Sequence, residues 1–326
     1  MPNNPIDTEP EKIPTRSADH FVAALDDTPL VEIDSVNVAE KPSNLWIDAW
    51  RDLRRRPTFW ISLVVILFIA VVALFPTWFT QVSPTANCDL GNSNGGPAPG
   101  HPFGFTKQGC DIFARTLHGT STSLSVGFIV IILTTVLGIL FGAFAGFYGG
   151  FADTVLSRIG DIFFSIPYIL AAIVIMSVLS AYRNVWVLSL AIGIFAWPST
   201  ARVLRAEILR VKNSDFVMAA TAVGLTRFKI LMRHVLPNSI APVIAITTIS
   251  LAGAIVAEAS LSFLGVGLPP TFMSWGNDIN AAQGDLRTNP QTLIIPSLAL
   301  SITVFAFIIL GELIRDALDP KARAQR

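Results

Sequence analysis

The chain has 326 residues, of which 52% are hydrophobic and 14% charged, against roughly 25% charged in an ordinary soluble domain. So little charge cannot cover a water-facing surface, which excludes a soluble enzyme, a nucleic-acid binder and a disordered protein. The 23 basic and 23 acidic residues cancel, but residues 1–42 hold nine acids and three bases. An acidic, Trp-free stretch of this kind buries too little apolar surface to offset chain entropy, so a disordered cytoplasmic tail is predicted over 1–45. It lacks the basic start and apolar run of a signal peptide.

Six segments are apolar enough to cross a bilayer as helices, each needing about 20 residues. They are predicted near 58–80, 123–147, 161–181, 185–204, 238–262 and 291–314. The chain therefore divides into the tail, a first span with an outer loop over 46–122, and a five-helix core over 123–326. Trp60 and Trp78 mark the ends of the first span and suit the two membrane interfaces. With the amino terminus in the cytoplasm, only Lys107, Arg115, Arg183 and Arg287 face outward and the other 19 of the 23 basic residues face inward. That is the bias of the positive-inside rule, and it places both termini in the cytoplasm. The second span carries Gly138, Gly142, Gly146 and Gly150, a stripe that lets another helix approach closely in lipid. Pro167 and Pro198 are expected to kink their helices.

Two outer loops are long, near 81–122 and 263–290. The first contains Cys88 and Cys110, the two cysteines of the chain. Their shared placement outside the membrane permits a disulfide, the alternative being two unrelated thiols.

The inner loop 205–237 is the most informative segment. Asn213 or Ser214 can cap a short helix with Asp215 in its first turn. Phe216, Val217, Ala219, Ala220 and Val223 give that helix an apolar surface, and Gly224 suits its left-handed end. Thr226 can cap a second helix. Arg227, Lys229 and Arg233 would face water there, with Phe228, Ile230, Leu231 and Val235 on the other side. Pro237 is expected to open the fifth span. The segment reads as a helix–turn–helix knob at the inner face, either a docking element or a linker lying on the bilayer.

The run Ala219-Ala220, three residues, Gly224, nine residues, His234, one residue, Leu236-Pro237 resembles the EAA loop of bacterial ABC-importer permeases. Met218 stands where that family has a leading glutamate, so an ion pair from that position is not implied. His101-Pro102-Phe103-Gly104 through Cys110-Asp111 to Arg115 and Gly119 is similar to the outer loop of the peptide and nickel branch. Glu258 through Gly267, Trp275-Gly276 and the ending Asp316 through Pro320 also resemble that branch. The resemblance implies an all-α integral membrane fold, six transmembrane helices around a MetI-like permease core, with the loop serving as coupling helices. In that reading Ser214, Asp215, Met218, Ala219, Ala220, Gly224, Arg227, His234, Leu236 and Pro237 form the ATPase-coupling loop. It further implies a second homologous permease, two cytoplasmic ATPase subunits that bind ATP and magnesium, an extracytoplasmic binding protein, and a di- or oligopeptide substrate. Nickel or another small solute is the alternative within the class.

No lysine follows a glycine, so a phosphate-cradling loop ending in Gly-Lys is missing. No catalytic residue, resident cofactor or metal site is expected, and His20, His101, His118 and His234 have no metal-ligand spacing. Glu258 lies about 20 residues beyond the start of the fifth span, close to the outer interface. Its expected role is to accept hydrogen bonds from the outer loop or to serve an outer gate. An ion-coupled carrier, the alternative from another class, usually needs several intramembrane carboxylates. Thr134, Thr135, Ser165, Tyr168, Ser189, Ser199, Thr247, Thr248 and Ser250 are candidates for a wet pathway, each also explicable as a helix-packing residue.

Overall fold

The computed structural model describes residues 45–86 and 88–318. The predicted tail, apart from residue 45, and the closing Asp319-Pro320 lie outside the described residues.

The chain begins with α1 (Leu45–Leu53), which buries Ala49 and Leu53 against Phe59, Ala317 and Leu318. Arg56 then donates to Asp52 at 2.7 Å and to Asp316 at 3.3 Å, tying this corner together. Pro57 opens α2 (Pro57–Leu74), where its missing N–H costs nothing. The helix stops short of the predicted end at 80, because the residue before Pro76 is pushed out of helical geometry. Phe75 has φ −133° and ψ 56°, and Trp78 sits in a 3₁₀ turn, stacked on Phe75.

The second span is α3 (Ile112–Tyr148), which starts three turns before its predicted position. Asp111 caps it by accepting from the Phe113 N–H at 3.0 Å. A search for apolar windows misses these turns because they carry Arg115, Thr116 and His118. At 37 residues the helix is about 55 Å long, well beyond the ~30 Å hydrocarbon core. The division drawn at 122/123 falls inside it.

The third span departs most from expectation. It is a pair, α4 (Gly150–Ser165) and α5 (Tyr168–Val178), bent by 75°. Ile166, forced extended by Pro167, makes the break at φ −95° and ψ 118°. By contrast Pro198 lies inside α6 (Val185–Val211), an unbroken helix capped by the Asn184 side chain. After α6 come α7 (Asp215–Ala222), α8 (Arg227–Ile230), a π turn over Leu231–Val235 and α9 (Leu236–Ser239). The fifth span, α10 (Ala241–Phe263), is followed by the short α11 (Trp275–Ala281) and by α12 (Gln291–Leu318). Among the described residues five helices are long and apolar enough to cross a membrane, and the bent pair makes six if it counts as one span. Among the described residues there is no strand, only two isolated bridges in the loop before α3. The protein is an all-α membrane bundle.

Helix α3 packs along α6 through the predicted glycines. A Cβ on Gly138 would meet the Thr200 side chain at 2.6 Å, on Gly142 the Ala201 carbonyl oxygen at 2.6 Å, and on Gly146 the Arg205 carbonyl oxygen at 3.0 Å. Gly150 does not join the stripe. It lies past the end of α3 with φ +54° and open space around it.

Cys88 and Cys110 form a disulfide. It closes a loop of turns in which Asp89 N–H donates to the Gly109 carbonyl at 3.3 Å and Phe105 N–H to the Gly95 carbonyl at 2.9 Å. The bridge thus anchors the segment that presents Asp111 to the start of α3.

Two outcomes test this packing. Gly142→Val should lower the stability of the detergent-solubilised protein by roughly 1–3 kcal/mol in thermal unfolding, while Gly253→Ala, which adds a methyl to open space, should leave the melting temperature within error. Cys88→Ser should cost about 2–4 kcal/mol, and the unaltered protein should bind no thiol reagent at either cysteine until reduced.

Candidate functional site

The segment between α6 and α10 folds as a knob on the basic end of the α3–α6 pair. Val217 and Ala220 of α7, with Ile230, Leu231 and Val235, are buried against Ala143, Leu204, Ile208 and Val211. Facing away are Phe216, Met218, Val223 and Phe228, all exposed, with Val223 at 81%. Ala219 is exposed beside them. The knob therefore has two apolar sides, one spent on the bundle and one open. This corrects two expectations. Phe228 lies on the open side rather than with Ile230 and Leu231, and the apolar surface of α7 is split between the two sides.

Backbone geometry sets the turn. Gly224 has φ +83° with no atom near its absent Cβ, a conformation that L side chains rarely adopt. The Thr226 hydroxyl accepts from the Lys229 N–H at 3.4 Å, as predicted. Ser214 sits at the N-cap position of α7, but its hydroxyl turns back and donates to the Val211 carbonyl. Asn213 likewise donates to the Leu209 carbonyl at 3.2 Å. Neither side chain caps, because both prefer the free carbonyls at the end of α6. Arg227 and Asp215 are exposed, and His234 is half-buried. Pro237 lies in α9 rather than opening α10. The π turn before it widens the helix, with Leu236 N–H donating to the Leu231 carbonyl. That suits the proline ring, which would clash with a carbonyl in regular α geometry.

Glu258 occupies the opposite end and is fully buried. Its Oε2 accepts from the Ser123 hydroxyl at 2.9 Å and its Oε1 from the Ser262 hydroxyl at 3.0 Å. The Ser274 hydroxyl adds a third bond. Each serine relays the link outward. Ser123 accepts from the Trp275 N–H at 3.2 Å, Ser262 from the Leu268 N–H at 3.3 Å, and Ser274 from the Asn277 N–H at 3.2 Å. Trp275 also donates from its indole to the Thr116 carbonyl at 3.0 Å. One carboxylate thus ties α3, α10 and α11 together, which accounts for Trp275-Gly276 recurring with Glu258 in the sequence pattern.

Sequence reasoning missed a second tie. Arg115 donates to Asp278 from Nε at 3.0 Å and from a terminal nitrogen at 2.5 Å. Burial pushes the Asp278 carboxyl up from the ordinary aspartate range, and the Arg115 guanidinium pulls it part of the way back. The position of Arg115 in the outer-loop motif was the available signal, but its partner lies 163 residues away. The buried Asp111 Oδ2 lies 3.3 Å from His101 Nδ1, outside hydrogen-bond geometry.

Residues 138–324 match the family described as binding-protein-dependent transport system inner membrane component. Residues 44–97 match the N-terminal transmembrane domain of oligopeptide transport permease C. The chain belongs to the binding-protein-dependent permease family. It is 36% identical over 302 residues to the glutathione transport system permease protein GsiD of Escherichia coli O157:H7, covering 92% of this chain and 97% of that protein. The corresponding protein of Shigella dysenteriae is 35% identical over the same extent. Among solved structures, inward-facing forms of the MetNI methionine ABC transporter superpose with TM-scores of 0.51 and 0.50 at 21% and 20% identity. Each covers 62% of this chain and 96% of that one, a likeness of fold alone. The protein is accordingly an ABC transporter permease subunit, a multi-pass inner-membrane component of a larger transporter.

The Glu258 network makes a specific outcome testable. Glu258→Leu strands three hydroxyl donors and should cost about 3 kcal/mol or more in thermal unfolding. Glu258→Gln keeps the shape and one acceptor and should cost clearly less. Equal melting temperatures for all three proteins would show that the carboxylate holds nothing.

Proposed function

We propose that this chain is one half of the translocation pathway of an ATP-driven importer of short peptides. The observation that carries the reading is the open apolar side of the 213–237 knob. Exposed Phe216, Met218, Val223 and Phe228 around small Ala219 form a surface that a groove on a partner can cover. The partner is a cytoplasmic ATPase, one of two, which binds ATP and magnesium and performs the hydrolysis. This chain contributes no catalytic residue. A second, homologous permease completes the pathway, and an extracytoplasmic binding protein delivers the substrate to the loops around Cys88–Cys110 and α11.

The orientation follows the charges, with the knob and both termini in the cytoplasm. When the ATPases close on ATP, they drag the knob. Because Val217, Ala220, Ile230 and Leu231 are packed into the base of α3 and α6, the knob moves with those helices and the bundle rocks against its partner. The peptide class is supported by the likeness to the glutathione permease and to the oligopeptide permease domain. The same likeness favours it over nickel.

Gly224→Val forces a β-branched side chain into φ +83° and should distort the knob. In proteoliposomes holding the full assembly, uptake driven by ATP should fall at least about tenfold while the subunits still co-purify. Val223→Asp, which leaves the backbone alone, should weaken co-purification of the ATPases. Normal uptake by both variants would contradict the docking role.

A further inference from the structure

The break in the third span lies on a chamber. Lipid-facing backbone outside helical geometry is not tolerated in the hydrocarbon region, where the freed polar groups must meet protein or a wet cavity. Ile166 and Pro167 accordingly line a cavity of about 250 Å³, walled by α3, α5, α6 and α10. No side chain caps the start of α5 there.

Most hydroxyls around this chamber behave differently from many others in the bundle. Ser189, Ser239, Thr248, Ser260 and Thr303 each donate to the carbonyl four residues earlier, which satisfies them within their own helix. Five hydroxyl residues line the chamber: Thr134 donates to the Ile131 carbonyl at 3.1 Å, while the hydroxyls of Tyr168, Ser199, Thr200 and Ser250 have no hydrogen-bond partner among the described residues. Thr200 is 3% exposed, and its methyl faces Gly138, which leaves the hydroxyl for the cavity. Thr200 is buried, Tyr168 and Ser250 are half-buried and Ser199 is exposed. In the hydrocarbon region, where water is missing, hydroxyls without a protein partner are costly, so their gathering on one cavity marks a place that something polar can occupy. Gly253 on the α10 wall leaves open space, and no charged residue lines the chamber.

A hydroxyl both donates and accepts, which matches the alternating N–H and C=O of a peptide backbone whatever its side chains. We propose that this chamber is a resting site for the backbone of a short peptide in transit. Toward the basic end of α6, Phe163 packs on Phe195 at 5.4 Å and on Trp197 at 5.8 Å, and Trp197 on Phe141 at 4.3 Å. Phe195 lines this chamber, while Trp197 and Phe141 line a second cavity of about 410 Å³ with Arg202 and Arg205. The aromatic cluster stands between the two.

The inference rests on the peptide-importer reading, and the experiment separates the two. In proteoliposomes holding the complete assembly with its binding protein, the probes are tritiated trialanine and S-methylglutathione. The double variant Ser199→Ala with Ser250→Ala should lower uptake about tenfold, the loss of two hydrogen bonds of ordinary strength. Binding-protein-stimulated ATP hydrolysis should stay within about twofold. Ser250→Phe should abolish uptake by filling the space, and the milder double variant decides the matter if that protein fails to assemble. In a separate Ser199→Cys assembly, the imported probe should slow labelling by a methanethiosulfonate reagent, since Cys88 and Cys110 are bonded to each other. Unchanged uptake in the double variant, or labelling indifferent to the probe, overturns the chamber while the importer reading stands. An unaltered assembly that hydrolyses ATP but imports neither tripeptide overturns both.

Discussion

The close approach of α3 and α6 along Gly138, Gly142 and Gly146 is the constraint on which the rest of the bundle depends. Water is missing from the bilayer core, so helices there associate through packing and polar contacts rather than the hydrophobic effect. A Cβ at Gly138 or Gly142 would come within 2.6 Å of α6 atoms, so larger residues would force the helices apart. Everything of functional interest is attached to this pair. The knob packs on its basic end, the chamber lies against its middle through Thr134, Ser199 and Thr200, and Glu258 fastens the segment around α11 to the other end of α3 through Ser123.

The two ends are built for different mechanical tasks. Around Glu258 and Arg115–Asp278, bonds are buried and redundant, and side chains from distant parts of the chain close on one another. Such a network resists local opening. The knob, by contrast, keeps Phe216, Met218, Val223, Phe228 and Met232 exposed while Val217, Ala220, Ile230, Leu231 and Val235 are buried. A face left open in this way fits a contact made with another subunit. Between these ends the break at Ile166–Pro167 gives the third span a bend that a continuous helix would lack.

Sequence reading reached the helical class, three of the four stripe glycines, the cysteine pair and the left-handed turn at Gly224, because each rests on local chemistry or spacing. It failed where tertiary contact decides. Three extra turns of α3 were invisible because Arg115, Thr116 and His118 read as loop until their partners across the fold are known. Pro167 and Pro198 looked equivalent. Only the first broke its helix, with the extended residue before it set on a cavity. Ser214 and Asn213 carry capping side chains, yet both turn back to the end of α6, a choice between two neighbouring sets of unpaired groups that composition does not reveal. Of the nine hydroxyl residues first considered for a pathway, Tyr168, Ser199, Ser250 and Thr134 line the chamber, while Ser189 and Thr248 are satisfied within their own helices.

The docking role of the knob is tested most directly by contact at the knob itself. A photoreactive amino acid placed at Val223, the most exposed large apolar side chain of α7 and its turn, can be activated in native membranes and its adducts identified by mass spectrometry. Docking of the knob on a motor should give a principal adduct with an ATP-hydrolysing subunit, changing in yield when a non-hydrolysable nucleotide is added. Adducts with lipid alone, or a yield indifferent to nucleotide, would contradict the claim that this loop carries the stroke of a motor into the α3–α6 pair.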